Sequence, residues 1–523
     1  MTFVSKYIKR ACILVAAPLL LASCSEDVMD DINKDINHTQ TTQAKFILAD
    51  VITSTAFSNV GGSINTYVAT YVEHEVGTHN QLFRAEHRQG EPSTSSTFNN
   101  PWGSLYSAYK HAKIVIDKCS PGGPQQGNDV TKGIAEVLAA YNLAIITDMF
   151  GDAPFMEAGD YNLSMTPRLD KQQVIYEAVN AYLDAAIVDL QKSDAHVSGG
   201  PREFDLLYQG SASKWLKFAY GLKARYTMRL LTRSSNVNAD LQKVIDYTQK
   251  SFTSANDQAA FAIYDANNLN PSFDFQWSRD GLAASRSMAD KLIERNDPRL
   301  RRVFTDAGWS QLDAVEKGSD EYEMMAPNGA NVEQQYVYNT STFVYSQTAP
   351  TLLMSYHEIL FLQAEAMQRL GRSASDIESV LKKAVVAAIA NNEVNVQAAF
   401  KAPTVLNYGG IEETTDAVTP EEAATYFETE VKPLLKANAL KEIINQKYIA
   451  FFGASGESTE CYSDLRRLRA MGDDLVTLVN PNKFPVRLPY GNDDTTTNPN
   501  VKEAYGNGQY VYSEPVWWAG GNR

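Results

Sequence analysis

The sequence predicts a mostly α protein, in which a scaffold of helical repeats carries a loop-rich insertion with a few short strands. Apolar residues recur at steps of three and four along most of the chain, as on one face of an α-helix. The segment 351–370 is apolar well beyond a single stripe, which is typical of a helix covered on several sides in stacked helical pairs. Between residues 253 and 350 this periodicity fades, and glycine, asparagine and aromatic residues mix, which indicates functional loops.

Residues 1–23 have the layout of a lipoprotein signal peptide. A basic start precedes an apolar run over 11–22, and small residues stand directly before Cys24. Twelve helical residues span about 18 Å, short of the roughly 30 Å hydrocarbon core, so the run predicts a cleaved signal rather than a membrane span. Leu21-Ala-Ser-Cys24 also resembles the bacterial lipobox, which predicts acylation of Cys24. The alternative is an ordinary signal peptide that contains a cysteine.

The stretch after Cys24 is polar and acidic. Residues 24–40 have no apolar face and predict a flexible tether, which leaves 41–523 as a single domain. No later stretch approaches 18 apolar residues, so we expect no second membrane segment. The net charge of −15 argues against a nucleic-acid partner, since phosphate binding needs a basic surface. The sequence leaves open whether Cys119 and Cys461 pair.

The helical pattern can be followed along the chain. Apolar periodicity predicts helices at 41–59, 64–79, 97–118, 131–149, 171–191, 211–231, 240–253, 285–295, 351–370, 375–391, 420–436, 440–452 and 460–471. Ala364-Glu-Ala, followed by Leu370-Gly-Arg and a second helix, resembles a degenerate tetratricopeptide unit, so we expect a tetratricopeptide-like scaffold. Even-spaced aromatic residues over 335–347 predict a strand, and the segment after residue 483 is expected to run extended over the surface.

No motif of catalytic chemistry emerges. His74 and His79 are five residues apart, which turns the second imidazole about 140° away from the first on a helix, so they predict surface polar residues and not a zinc site. Asp464 and Arg467 predict a structural ion pair at helical spacing. We therefore predict no enzyme activity, no metal and no cofactor. A pair of carboxylates suited to glycoside hydrolysis stays open as an alternative, because 62 acidic residues allow many combinations.

Aromatic residues in loops favour a binding function. Polymers of sugars present flat apolar faces with hydroxyl rims, and aromatic rings flanked by polar side chains suit both parts. The alternative for each ring is packing in the core or anchoring of a loop, and Trp102 lies on a helical stripe that favours the core. The candidate ligand-binding residues are Phe83, Arg84, Trp102, Phe275, Trp277, Trp309, Tyr322 and Tyr336.

Several longer strings resemble signatures of the SusD/RagB family, which comprises outer-membrane lipoproteins of Bacteroidetes. In order, they are 142–155 (NLAIITDMFGDAPF), 296–299 (NDPR), 352–366 (LLMSYHEILFLQAEA), 443–452 (IINQKYIAFF), 462–467 (YSDLRR), 484–490 (FPVRLPY) and 515–518 (PVWW). Their order and spacing hold from Cys24 to the C-terminus. The resemblance implies a fold built on tetratricopeptide-like units, with Thr147, Asp148, Gly151 and Asp152 holding a helix end and turn.

The same resemblance implies a function. Family members capture a nutrient oligomer, commonly a glycan, and act as the lid of a SusC-like TonB-dependent transporter. The chain is therefore expected to be anchored in outer-membrane lipid and to face outward. The same lid serving peptides or another nutrient is one alternative, and a surface glycoside hydrolase is another. No ligand residue of the family transfers to a numbered position here.

Overall fold

The computed structural model describes residues 42–88, 96–159, 163–196, 200–506 and 508–522. The predicted signal peptide, the acylated Cys24 and the tether 24–40 lie outside the described residues, and they stay predictions. Residues 44–523 form one compact unit.

Helices dominate the described residues. The α-helices are α1 (Ala44–Thr53), α2 (Ser63–Tyr71), α3 (Asn80–His87), α4 (Asn99–Cys119), α5 (Asp129–Phe150), α6 (Gln172–Asp189), α7 (Ala212–Arg229), α8 (Val237–Thr248), α9 (Pro271–Arg279), α10 (Arg286–Ile293), α11 (Asp320–Glu323), α12 (Tyr356–Arg369), α13 (Ala374–Phe400), α14 (Pro403–Leu406), α15 (Pro420–Tyr426), α16 (Lys432–Ala437), α17 (Ala439–Ala450), α18 (Ser458–Ala470), α19 (Asn492–Thr497) and α20 (Pro499–Tyr505). Segments of π-helix, Ser54–Val60 and Phe427–Val431, continue α1 and α15.

Strands are short and pair only in twos among the described residues. They are β1 (Glu75–Gly77), β2 (Ala153–Pro154), β3 (Leu169–Asp170), β4 (Ala259–Phe261), β5 (Leu282–Ala284), β6 (Phe304–Thr305), β7 (Thr340–Ser341) and β8 (Thr351–Met354). The antiparallel pairs are β1 with β5, β2 with β3, β4 with β8 and β6 with β7. Two of these pairs, β1–β5 and β4–β8, join the loop-rich insertion to the helices before and after it.

The scaffold is a series of packed helix pairs. Helix α5 packs against α4 and α6, α7 packs against α8, and α12 packs against α13, while α8 also contacts α12. These neighbours in the chain are neighbours in space, which is the arrangement of tetratricopeptide-like repeats. The predicted fold class is confirmed: the protein is mostly helical, with few and short strands.

Helix α5 is the most deeply covered helix of the scaffold. Every residue over 133–150 is buried. By length and mean hydropathy α5 alone, among the described helices, is apolar enough to cross a membrane, but this whole stretch is buried inside the protein. Its apolar character is thus explained by packing on all sides, and the expectation that no later stretch is so apolar was too strict.

Buried arginines tie the helix pairs together. Arg225 on α7 donates two hydrogen bonds to the carboxylate of Glu358 in the first turn of α12, at 2.7 and 2.6 Å. It also donates to the backbone carbonyl of Leu353 at 2.9 Å. One turn further along α7, Arg229 pairs with Glu460 on α18 and with Asp148 on α5. Side chains of four helices therefore meet through fork-shaped guanidinium groups.

A second part of this network lies between α12, α17 and α18. Arg467 donates to both oxygens of Glu365 at 2.8 Å and to Asp464 at 3.2 Å, which confirms the predicted ion pair. Lys447 pairs with Asp464 at 2.6 Å. Burial raises the pKa of Glu365, but Arg467 and Arg369 outweigh this and lower that pKa to about 2. We call the buried charged residues of both parts the scaffold network.

The helix end and turn implied by the resemblance are also present. The hydroxyl of Thr147 donates to the carbonyl of Gly151 at 2.9 Å, and Gly151 adopts a φ of 78°, which only glycine reaches without strain. Asp152 accepts a hydrogen bond from the backbone N–H of Gln172 at 2.9 Å and so caps the start of α6. Asp148 instead pairs with Arg229 in the scaffold network.

Several predicted elements differ from the structure. Residues 351–354 form strand β8, and α12 begins only after Ser355, whose hydroxyl accepts the N–H of Glu358. The predicted strand over 335–347 reduces to β7, because Thr342–Tyr345 turns into a 3-10 helix. Helix α9 was not predicted at all, since its apolar residues are exclusively aromatic and lie among glycine and asparagine.

The C-terminal segment is another correction. It was expected to run over the surface, but it contains α19 and α20, and Arg487, Leu488 and Trp518 are fully buried. The Arg229 guanidinium lies 5.2 Å from the ring centre of Trp518, so the segment packs against the scaffold network. Asn498 caps α20 by accepting the N–H of Asn500 at 3.0 Å, and Pro499 occupies the first turn of that helix.

Candidate functional site

Helix α9 is the centre of the candidate site, and its sequence explains its bounds. Asn270 caps the helix by accepting the N–H of Ser272 at 2.9 Å, and Pro271 occupies the first helical position. Asn270 also donates to the carbonyl of Ala349 at 2.8 Å, which holds the helix start to the scaffold side of the insertion. The helix ends where Asp280 adopts a φ of 45°.

The two faces of α9 carry different side chains. Residues four apart lie on the same face of a helix, so Phe273 and Trp277 share one face and Phe275 and Arg279 share the opposite one. The rings of Phe273 and Trp277 stack at 5.5 Å. The guanidinium of Arg279 lies 4.9 Å from the ring centre of Phe275.

The first face continues into a group of surface rings. The Trp277 ring lies 5.8 Å from the ring of Trp309 and 5.5 Å from that of Tyr408. Trp309 donates its indole N–H to the hydroxyl of Tyr345 at 3.2 Å, while Tyr408 is 70% exposed. We call Trp277, Trp309 and Tyr408 the aromatic face.

Loop geometry presents two of these rings. Asp306 accepts the backbone N–H groups of Gly308 and Ser310, both at 2.8 Å, and Trp309 between them has a φ of 67°. The backbone N–H of Glu412 donates to the carbonyl of Trp309 at 3.3 Å, which links this turn to the chain that follows Tyr408. The aromatic face is therefore held by backbone hydrogen bonds and not by ring contacts alone.

The second face of α9 borders an open cleft of about 460 Å³. Phe275, Arg279 and Asp274 lie along one wall, and residues of α2, α3 and α4 form the other. The lining residues are Phe57, Ser58, Gly62, Ser63, Thr66, Tyr67, Gln81, Thr97, Asn100, Pro101, Ser104, Pro271, Asp274, Phe275 and Arg279. We call this space the α9 cleft. Its volume suits a ligand of a few sugar rings, and its lining combines two phenylalanines with many hydrogen-bonding groups.

A smaller neighbouring pocket of about 240 Å³ shares three lining residues with the α9 cleft: Gln81, Phe275 and Arg279. The start of α3 supplies most of its remaining wall, including His79 and Asn80. Arg279 thus reaches both spaces, and together they follow one side of α9.

Among the predicted ligand-binding residues, Trp102 needs correction. It is only 3% exposed, and its ring packs against those of Phe150 and Tyr490 at 4.8 and 5.6 Å. Its indole N–H donates to Asp494. Because a ligand cannot reach this ring, we exclude Trp102 from the site. Its neighbours Asn100 and Pro101 do line the α9 cleft.

Other predicted residues are dispersed. Tyr322 donates its hydroxyl to Asp290 at 2.9 Å and anchors α11 to α10. Phe83 stacks on His87 at 5.5 Å, and Arg84 donates to Asn80 at 3.0 Å, both on the exposed side of α3.

Tyr336 is 74% exposed and follows Gln335, which donates to the carbonyl groups at the end of α9. The structure therefore brings together Trp277 and Trp309 on one face and places Phe275 on the other.

Sequence reasoning missed Tyr408 and Gln81. Tyr408 lies more than 50 residues beyond the predicted ligand region, next to Gly409 and Gly410, and that tyrosine–glycine turn is the one signal that would have indicated an exposed ring. Gln81 carries no signal in the sequence, because a glutamine on a helix is ordinary.

The junction between insertion and scaffold contains buried polar groups with few charged partners. His74 is buried and bonds to Ser458 and to the carbonyl of Tyr448, at 2.9 and 3.1 Å, so its assignment to the surface was wrong. Glu75 in β1 accepts the hydroxyl of Ser341 at 2.6 Å. Burial raises the pKa of Glu75 to about 8.

In the described part of the chain, no group of three or more His, Cys, Asp and Glu residues is arranged to hold a metal ion.

Comparisons with known proteins place these features in a family. The family model SusD-like_2, described as starch-binding and associating with the outer membrane, matches residues 35–490. A SusD/RagB family protein of Bacteroides thetaiotaomicron is 53% identical, with a TM-score of 0.87 over 92% of this chain and 100% of that one. None of the curated proteins matches the chain.

More distant solved structures share the fold. A chitin-binding protein is 22% identical, with a TM-score of 0.65 over 90% of this chain and 99% of that one. An outer membrane protein of Bacteroides vulgatus, linked to nutrient binding, is 19% identical, with a TM-score of 0.65 over 91% of this chain and its whole own length. At these identities the likeness extends to the fold alone.

Proposed function

Because this chain belongs to the SusD/RagB family of nutrient-binding proteins associated with the outer membrane, we propose that it captures oligosaccharides at the cell surface. The captured ligand passes to a SusC-like TonB-dependent transporter, on which this protein acts as a lid. Acylated Cys24 anchors the protein in outer-membrane lipid, and the tether 24–40 lets the domain move against the transporter.

The observation that supports a glycan as the ligand is the aromatic face. Trp277, Trp309 and Tyr408 present three neighbouring rings, of which Tyr408 is mostly exposed. The apolar faces of sugar rings stack on such surfaces, and the exposed Asn407 beside them can bind hydroxyl groups. Peptide binding is the alternative, and it favours an open strand edge or a helix groove.

We propose that binding occurs without chemical change of the ligand. The turn that carries Trp309 contains Asp306 and is bonded to the backbone of Glu412, but recognition of a flat sugar surface needs no proton transfer. A surface glycoside hydrolase remains the outcome that would replace this proposal if purified protein released shorter products from a polysaccharide.

Isolation from native membranes and binding to a glycan panel test the proposal. We expect the full-length protein to be extracted with a large β-barrel partner, and the purified domain to bind at least one oligosaccharide by calorimetry. The matched variant Cys24→Ala is expected to lose the membrane fraction but to keep glycan binding.

A protein that is extracted alone, without any barrel, would contradict the lid function. If peptides in the panel bind and glycans do not, the captured nutrient is a peptide and not an oligosaccharide.

A further inference from the structure

The α9 cleft contains a guanidinium group without an acidic partner. Arg279 has no carboxylate oxygen within 4.0 Å among the described residues, and it donates only to the hydroxyl of Ser278, at 3.1 Å. The Phe275 ring supports its flat side at 4.9 Å, so the group is held with its N–H donors toward the cleft and the neighbouring pocket. This is the geometry that binds a carboxylate with two parallel hydrogen bonds.

Other arginines in and beside the insertion are paired. Arg301 contacts Glu422 at 2.7 Å, Arg302 contacts Glu413 at 2.7 Å, and Arg295 contacts Glu442 at 3.3 Å. Arg279, which is exposed and has no carboxylate partner in the described part of the chain, therefore differs from these other arginines of the region.

A second arginine, Arg84, lies on α3, whose Gln81 lines the opposite wall. Burial raises the pKa of Tyr67, which lines the α9 cleft, while Arg84 and Arg279 both act to lower it, so both cations lie near the same hydroxyl. The backbone N–H of Asn80 lowers the pKa of the exposed Glu333, and His79 at 2.6 Å and Arg84 lower it further. Asp274 and Arg279 are the charged residues that line the cleft, and Arg84 is a second cation near Tyr67.

The geometry points to an acidic oligosaccharide as the ligand of the α9 cleft, with a carboxylate or sulfate group on Arg279 and a sugar ring on Phe275. Gln81 and Asn100 on the opposite wall form hydrogen bonds with its hydroxyl groups. This inference rests on the proposed function and adds the chemical class of the ligand. Since the whole chain has a net charge of −15, attraction over long distances does not assist an anion, and recognition depends on this local arginine.

The test compares charged and neutral probes on the full mature protein. The probes are an oligogalacturonate, a sulfated oligosaccharide of similar length, and a neutral galacto-oligosaccharide. We expect one of the two acidic probes to bind at least about tenfold more tightly than the neutral one, because charged hydrogen bonds contribute about 1.5–3 kcal/mol. That preference decreases as salt is added.

Two variants assign the preference to Arg279. Arg279→Gln is expected to abolish the difference between acidic and neutral probes and to leave neutral binding within about twofold. The control Arg372→Gln removes another exposed arginine, on the turn between α12 and α13, and should change neither affinity. Thermal melting confirms folding, since the Arg279 side chain is exposed.

The outcomes separate this inference from the proposed function. Tighter binding of galacturonate identifies a carboxylate, and tighter binding of the sulfated probe identifies a sulfate. If neutral and acidic probes bind with the same affinity, both in the parent and in Arg279→Gln, the inference of an acidic ligand is wrong. The proposal that the protein captures glycans would still stand. Failure of all glycans to bind overturns the proposed function itself.

Discussion

The scaffold network and the surface around α9 use the same kinds of side chain in opposite ways. In the scaffold, Arg225, Arg229 and Arg467 are buried and bond to carboxylates from neighbouring helices. Around α9, Arg279 and Tyr408 are exposed and lack such partners among the described residues. The comparison teaches that buried and paired charges position the helices, whereas exposed side chains without such partners stay available to a ligand.

The reason lies in the cost of burying charge. A guanidinium inside a protein loses the solvation of water, which only close carboxylates and carbonyls offset. Once formed, such a network specifies which helices meet. A surface ring or arginine has no such constraint, so it is available to a ligand and can change with the ligand. Three experiments test this division, from the largest expected effect to the smallest.

Arg467→Ala should damage the scaffold most. It leaves the buried carboxylates of Glu365 and Asp464 without their shared cation, which costs about 3–5 kcal/mol in the free energy of unfolding. Equilibrium unfolding in urea measures this change. The control Arg372→Ala should stay within about 0.5 kcal/mol.

A double variant keeps this test decisive if Arg467→Ala does not fold. Arg467→Met with Glu365→Leu removes both charges and fills the space, so most of the lost stability should return. A loss below about 1 kcal/mol for Arg467→Ala would mean that the buried pair contributes no more than a surface pair.

Tyr408→Ala should affect binding and not folding. The ring is 70% exposed, so its removal is expected to change the free energy of unfolding by less than about 0.5 kcal/mol. Loss of one stacking surface should weaken oligosaccharide binding about tenfold, measured by calorimetry.

Tyr220→Ala is the control for that experiment, because Tyr220 stacks on Tyr247 within the scaffold at 6.2 Å. It should leave the affinity unchanged. If Tyr408→Ala binds as the parent does, the aromatic face is not the glycan surface.

Glu75→Gln should have the smallest effect, and that effect depends on pH. Burial raises the pKa of Glu75 to about 8, so from about pH 4.5 to 8 the folded state keeps a proton that the unfolded state has released. Stability due to this group therefore falls as the pH rises through that window. Relative to the parent, the glutamine variant should gain about 1 kcal/mol from pH 6 to pH 7.

Urea unfolding at several pH values measures this gain. Glu412→Gln, at an exposed position, serves as the control and should show no such trend. A difference between Glu75→Gln and the parent that is constant with pH would mean that Glu75 is charged in the folded protein at neutral pH.

The fold was largely predictable because helix periodicity and the family strings act over long stretches. The ion pair of Asp464 with Arg467 followed from their spacing on one helix. Helix α9 was not predictable in this way, since Phe273, Phe275 and Trp277 show the alternation of a strand, and only the Asn270-Pro271 start indicates a helix. Trp102 failed as a candidate because its exposure depends on Phe150 and Tyr490, which are distant in the chain.

The sequence by itself determined the class of fold, the family and the pairs that lie one turn apart, because each of these depends on local order along the chain. Only the tertiary structure decided that Trp277 meets Tyr408 and that Arg279 has no acidic partner among the described residues. It also decided that Glu75 is buried against Ser341. Such relations depend on which distant segments pack together, and burial then changes the charge and the accessibility of each side chain.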